Sequence, residues 1–557
     1  MLFCFRQSII KQKVGRDIMI NTVVTSSLEK IISKRVYTGS QKNSFSALEG
    51  EILSFQIVYW SDLGGKYRFV LEHDEDIEAQ AYFVGNVPVD FPTFPNAADD
   101  NDYMSHDSGL FPNLLEPADR DWVQVSHICH ALWFSVKGKS GNHKLTFKFY
   151  NYSGELMAEN DINVEIIAAA LPEQELRYTD WFHTDCIADY YGLKVFSEEH
   201  WSMVEKFLRI AKEYGSTVIF TPVFTPPLDT EVGSERTTVQ LVKIAKLGEK
   251  YEFDFSALRR WIKLCRNIGC KYFEMPHLFT QWGAKCTPKI VVTENGEEIK
   301  LFGWHVEATS EIYENFLSQF LPSLTTVLKE EGVLENTYFH ISDEPNETHL
   351  EHYKQVKQMA GKYLEGCTVM DALSNRDLYE KSGIQVPVPS TLHTESFKDL
   401  PLQERWCYYC CSETVNASNR FIALPSARNR SIGVQLYKGR MDGFLHWGFN
   451  FYYSQFSRML IDPFRTNDAY DAFPAGDAFC VYPAKNGPIP SISIKVFYEA
   501  LQDLRALKLL ESFIGYEETV ALVEEILGES ISFAHCFSAE KLLELREAVN
   551  QRIAEFS

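Results

Sequence analysis

The sequence is short of positive charge. It carries 54 Lys and Arg against 76 Asp and Glu, a formal net charge of −22 over 557 residues. Such a chain offers no basic groove for nucleic acid and no attraction to an anionic membrane surface. A neutral substrate meets no such obstacle. Long uncharged apolar runs are also missing, so no segment reads as a membrane span. No glycine-rich phosphate loop follows any strand-like run, which counts against a nucleotide fold. The first residues, Met1 to Gln7, begin apolar, but a true hydrophobic segment and a small-residue cleavage site are lacking. Residues 1–19 read as a basic, patternless extension, with Met19 as an alternative start. The expectation is a cytoplasmic protein without a secretion signal.

Paired metal-ligand spacings are lacking too. The 12 cysteines are scattered, and Cys129, Cys265, Cys367 and Cys480 lie inside apolar patterns. This is the usage of reduced, buried thiols. Cys407, Cys410 and Cys411 form a C-x-x-C-C cluster, but no second ligand pair follows at a zinc spacing. Neither a metal nor a cofactor is expected.

Aromatic residues are plentiful at 14%, with 39 Phe, 27 Tyr and 10 Trp. That suits aromatic-lined clefts as well as large cores. The length implies about three domains, one of them large enough for a βα-barrel of about 250 residues.

Residues 20–171 read as a β-sandwich of short strands with Gly-rich turns. In its run 144–150, Leu145, Phe147 and Phe149 share one face. From 172 the pattern changes, and apolar runs alternate with helical stripes. The candidate strands are 175–182, 217–224, 272–279, 337–342, 367–373, 386–392, 406–411 and 443–449. Their continuous apolar character fits strands buried on both faces. Eight βα-like units over 172–512 imply a TIM (β/α)8 barrel, with an open doubly wound sheet as the alternative. A C-terminal helical extension over 513–557 completes the chain.

The candidate site lies at the predicted C-terminal ends of these strands, where a barrel places its chemistry. The fourth strand ends in Tyr338-Phe-His-Ile-Ser-Asp-Glu-Pro345, an apolar run closed by two adjacent carboxylates, Asp343 and Glu344, before a helix expected from about Asn346. An acidic helix cap is the plain alternative for such a pair. The other ends add Asp180 and His183, His277, Asp371, Tyr408 and Tyr409, and Trp447 with Asn450. Each has its own structural explanation, but all fall on one end of one barrel. Trp447 is a candidate floor for a sugar ring, which an indole stacks well while polar neighbours bind its hydroxyls. Tyr408 and Tyr409 point opposite ways, so one of them at most faces the cavity.

Paired carboxylates and aromatics on a barrel suggest glycoside hydrolysis. A conventional pair, however, must flank the anomeric carbon from two sides, about 5–5.5 Å apart for retention and wider for inversion. Neighbours in sequence approach from one side. Substrate assistance uses that arrangement: the sugar's 2-acetamido oxygen attacks C1, one carboxylate orients the amide and the other moves the proton. The longer reach of Glu344 marks it as the acid, with Asp343 as the anion. A glycosidase pairing one of these with Asp180, Glu274 or Asp371 is the second reading. A non-catalytic glycan-binding barrel is the third.

At His340-Ile-Ser-Asp-Glu-Pro345 the sequence resembles the catalytic signature of the glycoside hydrolase family 123 group, whose barrel is also known as domain-of-unknown-function family 4091. The resemblance extends to Pro226-Pro-Leu-Asp-Thr230, His277-Leu-Phe-Thr-Gln-Trp-Gly283, Asp371-Ala-Leu-Ser374, Ser418-Asn-Arg-Phe421, Gly443-Phe-Leu-His-Trp-Gly448 and Gly476-Asp-Ala-Phe479. It implies a retaining exo-β-N-acetylgalactosaminidase, with a carbohydrate substrate, Asp343 as the oxazolinium stabiliser and Glu344 as the acid/base. A tyrosine donor to the acetamido oxygen is also implied, which Tyr408 or Tyr409 could supply.

Overall fold

A computed structural model describes residues 20–345 and 347–557, apart from Arg35. The extension expected over residues 1–19 and the helix start expected at Asn346 lie outside the described residues.

Eight short apolar runs pair into one parallel sheet. They are β1 (Arg177–Asp180), β2 (Val218–Phe220), β3 (Tyr272–Glu274), β4 (Thr337–Phe339), β5 (Thr368–Ala372), β6 (Val386–Val388), β7 (Trp406–Tyr408) and β8 (Gly443–His446). The order is β6-β5-β4-β3-β2-β1-β8-β7. A parallel bridge between Ser390 and Tyr408 joins the two edges, with the Tyr408 amide donating to Pro389 O at 3.0 Å. The sheet is thus a nearly closed barrel. Each strand lies inside one of the eight runs read from the sequence, because side chains buried on both faces leave an unbroken apolar signal.

Helices follow the strands. Glu198–Glu213, after β1, is capped by the Ser197 side chain, which accepts from His200 N, and carries Glu198 and Glu199 in its first turn. Trp201, Val204, Phe207, Leu208 and Ala211 form its buried stripe. Ser256–Ile268 follows β2, Glu311–Glu330 follows β3 and Leu350–Gly361 follows β4. Long excursions after β2 and β3 add a sheet the sequence reading omitted. Its four strands run Lys250–Asp254, Lys243–Leu247, Ile290–Glu294, Glu297–Phe302 in spatial order.

Residues before the barrel form two five-stranded sheets. Phe55 and Phe134 from one and Leu145, Phe147 and Phe149 from the other lie in one shared core. A second core joins these sheets to the barrel and the last helices. It contains Leu48, Trp133 and Ile167, then Tyr178 and Phe444, then Val496, Leu501, Val523 and Val549. Buried ion pairs cross the same junction: Arg430 to Asp503 at 2.7 Å, and Arg546 to Glu51 at 2.6 Å. Among the described residues, no helix is long and apolar enough to cross a membrane.

Candidate active site

The mouth of the barrel at the C-terminal strand ends is built in two layers. The lower layer is a buried charge cluster. His340, just past β4, has Nε2 2.7 Å from Glu274 Oε1 and Nδ1 3.2 Å from Asp371 Oδ1. All three side chains are fully buried. Burial alone would lower the His340 pKa, but the bonds to Asp371 and Glu274 outweigh it and raise it to about 9. His340 is therefore an imidazolium between two acids. Asp371 also takes the Tyr353 hydroxyl at 2.5 Å and the Ile341 amide at 3.0 Å. Glu274 takes Trp181 Nε1 at 2.7 Å and Thr179 Oγ1 at 2.5 Å. The layer fixes the end of β4, from which Asp343 and Glu344 emerge.

The upper layer is a cavity of about 170 Å³ whose walls include Asp343, Glu344, Tyr408, Trp447, Asp229, Gln281 and Trp282. Three of these have left-handed backbones: Asp229 (φ 38°), Trp282 (φ 55°) and Glu344 (φ 43°). Such conformations cost a non-glycine residue free energy and cluster where a site demands them. The Trp282 amide donates to Asp343 O at 3.2 Å, tying the lip of the cavity to the acid pair.

The two acids differ in setting. Burial raises the Asp343 carboxyl well above its ordinary range, and repulsion from Glu344 adds to this, opposed by His340. Crowding by the surrounding protein raises Glu344 as well, although the residue reaches solvent, and Tyr408 opposes that rise. The Tyr408 hydroxyl donates to Glu344 Oε1 at 2.7 Å. Adjacent carboxyls titrate as a pair. Tyr408 stabilises the Glu344 anion, while Asp343 is the more enclosed and faces further acids.

The other candidates separate by layer. Tyr408 lines the cavity. Tyr409 is fully buried and packs edge-on against Phe444 and His446, away from it. Trp447 lines the cavity, its Nε1 donating to Asp477 Oδ2 at 2.9 Å. Gly448 makes that contact possible: a Cβ there would lie 2.5 Å from Ala478 O. Asp180 lies below, paired with Arg420 at 2.6 Å. Burial opposes its charge, but Arg420 and His446 outweigh burial and hold its carboxyl well below the usual range. His183 sits behind Trp447. Arg236 donates to its Nδ1 at 3.0 Å, so its Nε2–H donates to Trp447 O at 2.9 Å. Burial, then the Arg236 charge, lower its pKa to about 3, and it is neutral. Asn450 pairs with both backbone groups of His183, at 2.8 and 3.1 Å. His277 is fully buried, with its ring 4.4 Å from that of His340, and burial keeps it neutral.

Among the described residues, His277, His340 and Asp371 are the group whose ligand atoms converge as a metal would require, within 4.8 Å. Both His340 nitrogens face carboxylates, Glu274 on one side and Asp371 on the other, so in this arrangement the cluster stands as a charge network. Cys410 and Cys411 line the cavity as free thiols, and Cys407 is buried apart from it.

Sequence reasoning missed Asp229 as a wall residue, since it stands on a loop with no periodicity to mark which way it faces; Gln281 and Trp282, which follow the third strand and are read as strand-end groups, do line the cavity.

The family model for the glycoside hydrolase 123 catalytic domain matches residues 181–510. The chain belongs to glycoside hydrolase family 123. It is a glycoside hydrolase by that membership, acting on carbohydrate. Its fold is similar to that of a family 123 glycoside hydrolase from Clostridium perfringens, a protein described as hydrolysing glycolipid glycans. The two share 16% identity with a TM-score of 0.69, and the match covers 97% of each chain. A family 5 mannosidase from Rhizomucor miehei matches at 10% identity and a TM-score of 0.35, over 62% of this chain and 94% of that one. No protein of curated function matches the sequence.

Proposed function

We propose that this family 123 chain is a retaining exo-glycosidase that removes a terminal β-linked 2-acetamido sugar, with N-acetylgalactosamine as the favoured sugar, by substrate assistance. The nearly closed sheet with its helices is read as a TIM barrel, whose C-terminal face carries the site. One observation supports the mechanism above the others. Asp343 and Glu344 leave one strand end side by side and share the cavity wall with Tyr408. Asp180, Glu274 and Asp371, the other strand-end acids, are committed to the layer below.

The chemistry follows from these positions. Asp343 holds the acetamido N–H and, as the oxygen closes on C1, faces the positive oxazolinium. That charge favours the Asp343 anion and leaves the proton of the pair to Glu344. Tyr408 has one hydroxyl hydrogen, and in donating it to the acetamido oxygen it releases Glu344. Glu344, no longer stabilised as an anion, takes up the proton and delivers it to the leaving oxygen. It then deprotonates the water that opens the oxazolinium. Trp447 carries the apolar face of the ring.

The test is release of nitrophenol from β-GalNAc, β-GlcNAc and β-galactoside by wild type, Asp343→Asn and Glu344→Gln. The proposal expects turnover of the acetamido sugars alone and its loss in both variants. Equal turnover of the galactoside by wild type contradicts it.

A further inference from the structure

The acetamido group and the glycosidic oxygen occupy Asp343, Glu344 and Tyr408 under the function proposed above, on which this inference rests. The hydroxyls on the far side of the sugar need partners too, since a buried hydroxyl without one costs binding free energy. The cavity has few to give. The indole nitrogens of its two deeper tryptophans are spent, Trp181 on Glu274 and Trp447 on Asp477. Asp229 and Gln281 remain.

Their setting is built. The Phe456 amide donates to Asp229 Oδ2 at 2.9 Å, and the Ser457 hydroxyl donates to Asp229 O at 2.6 Å. Gln281 Oε1 accepts the Asp229 amide at 2.5 Å. These three bonds hold Asp229 in its left-handed conformation on the cavity wall. Gln281 is 5% exposed, and among the described residues its Nε2 has no hydrogen-bond partner. A carboxylate keeps acceptor capacity beyond one backbone amide, whereas Nε2 can only donate. Burial raises the Asp229 carboxyl to about 6, against the Phe456 bond and the charges of Arg236 and Arg458.

We propose that Asp229 is the specificity-determining residue of this site, accepting a hydrogen bond from a ring hydroxyl remote from C1, at C4 or C6, with Gln281 positioning it. The enzyme then takes neutral sugars whose hydroxyls are free there. It rejects those esterified with sulfate, which would set an anion against the Asp229 carboxylate.

The experiment measures kcat/KM for nitrophenyl 2-acetamido glycosides, either intact, deoxygenated at C4 or C6, or sulfated at those positions. The enzymes are wild type, Asp229→Ala and Asp229→Asn, the last keeping an acceptor for the Phe456 amide. Binding of the corresponding free sugars, followed by tryptophan fluorescence, runs in parallel and needs no turnover. A hydrogen bond to a charged group sets the scale at about 10–100-fold. Wild type should lose that factor on one deoxy substrate, and Asp229→Ala should lose it on the intact substrate but nothing further on that deoxy one. Asp229→Asn should narrow the discrimination against sulfate. Equal losses by Asp229→Ala on all three unsulfated substrates would overturn the inference, as would sulfated sugars serving wild type equally well. Loss of kcat in Asp229→Asn with KM and sugar binding intact would also overturn it, making Asp229 part of the chemistry. The same coupling in binding, without turnover, would uphold Asp229 and sink the proposed reaction instead. Failure of wild type to bind any of these sugars would sink both.

Discussion

Replacing His340 by Gln removes the cation shared by Glu274 and Asp371. The folded protein holds the His340 proton with a pKa of about 9, against 6.5 for a free imidazole. That difference is worth about 3 kcal/mol at 1.36 kcal/mol per unit. Both partners are fully buried, so solvent does not screen the pairs. The folded pKa is the raised one. The stabilisation is therefore complete below the unfolded pKa of 6.5 and is lost as pH rises through about 9. His340→Gln also leaves two buried carboxylates without their cation, a change that typically costs 3–5 kcal/mol. The assay is thermal unfolding of wild type and His340→Gln from mildly acidic to alkaline pH. The variant should melt lower near neutrality, and the gap should narrow as pH rises from about 6.5 to about 9, because only wild type loses the term. Parallel curves would mean that His340 is neutral in the fold and would refute the reasoning.

Three further outcomes follow. Tyr408→Phe removes a bond that lowers the Glu344 pKa, so the alkaline limb of the kcat/KM profile should move to higher pH while activity falls; an unmoved limb contradicts the link. Gly448→Ala places a Cβ 2.5 Å from Ala478 O and 2.8 Å from Asp477 O, both backbone atoms. It should cost about 1–3 kcal/mol, as overpacking does, and an unchanged melting temperature counts against that packing. Arg430→Ala takes from Asp503 and Glu499 the cation they meet at 2.7 and 3.0 Å, leaving Asp503 the longer contact with Arg546 at 3.4 Å and Glu499 the Ser27 hydroxyl. It should destabilise by about 3–5 kcal/mol, and Arg430→Met combined with neutral replacements of both acids should restore much of the loss; no recovery would point to packing instead.

Much of this was legible in the sequence, for physical reasons that differ by element. The eight barrel strands announce themselves because both faces are buried, and Ser197 marks the start of the helix Glu198–Glu213 by capping chemistry. The strand Gly109–Pro117 is disguised by its prolines, which a strand at the edge of its sheet tolerates. The four-stranded insertion hides in loops whose pairing partners are far apart in sequence. In the site, acids at strand ends look alike on paper. Asp180, Glu274 and Asp371 lie on the strands themselves and fill the barrel. Asp343 and Glu344 lie a few residues beyond the end of β4 and reach the cavity. That offset separates the layers. Asp229 needed three dimensions, because only the bonds from Phe456, Ser457 and Gln281 turn it to the wall.

The central claim is that the substrate's own amide is the nucleophile. The most direct measurement is kcat/KM for nitrophenyl glycosides of one 2-acylamido sugar as the acyl group changes from acetyl to mono-, di- and trifluoroacetyl. Fluorine drains electron density from the attacking oxygen while leaving the ring and the leaving group alone. The account predicts a steep fall along the series. A flat series would show that the amide takes no part in bond formation and would return the nucleophile to an enzyme carboxylate.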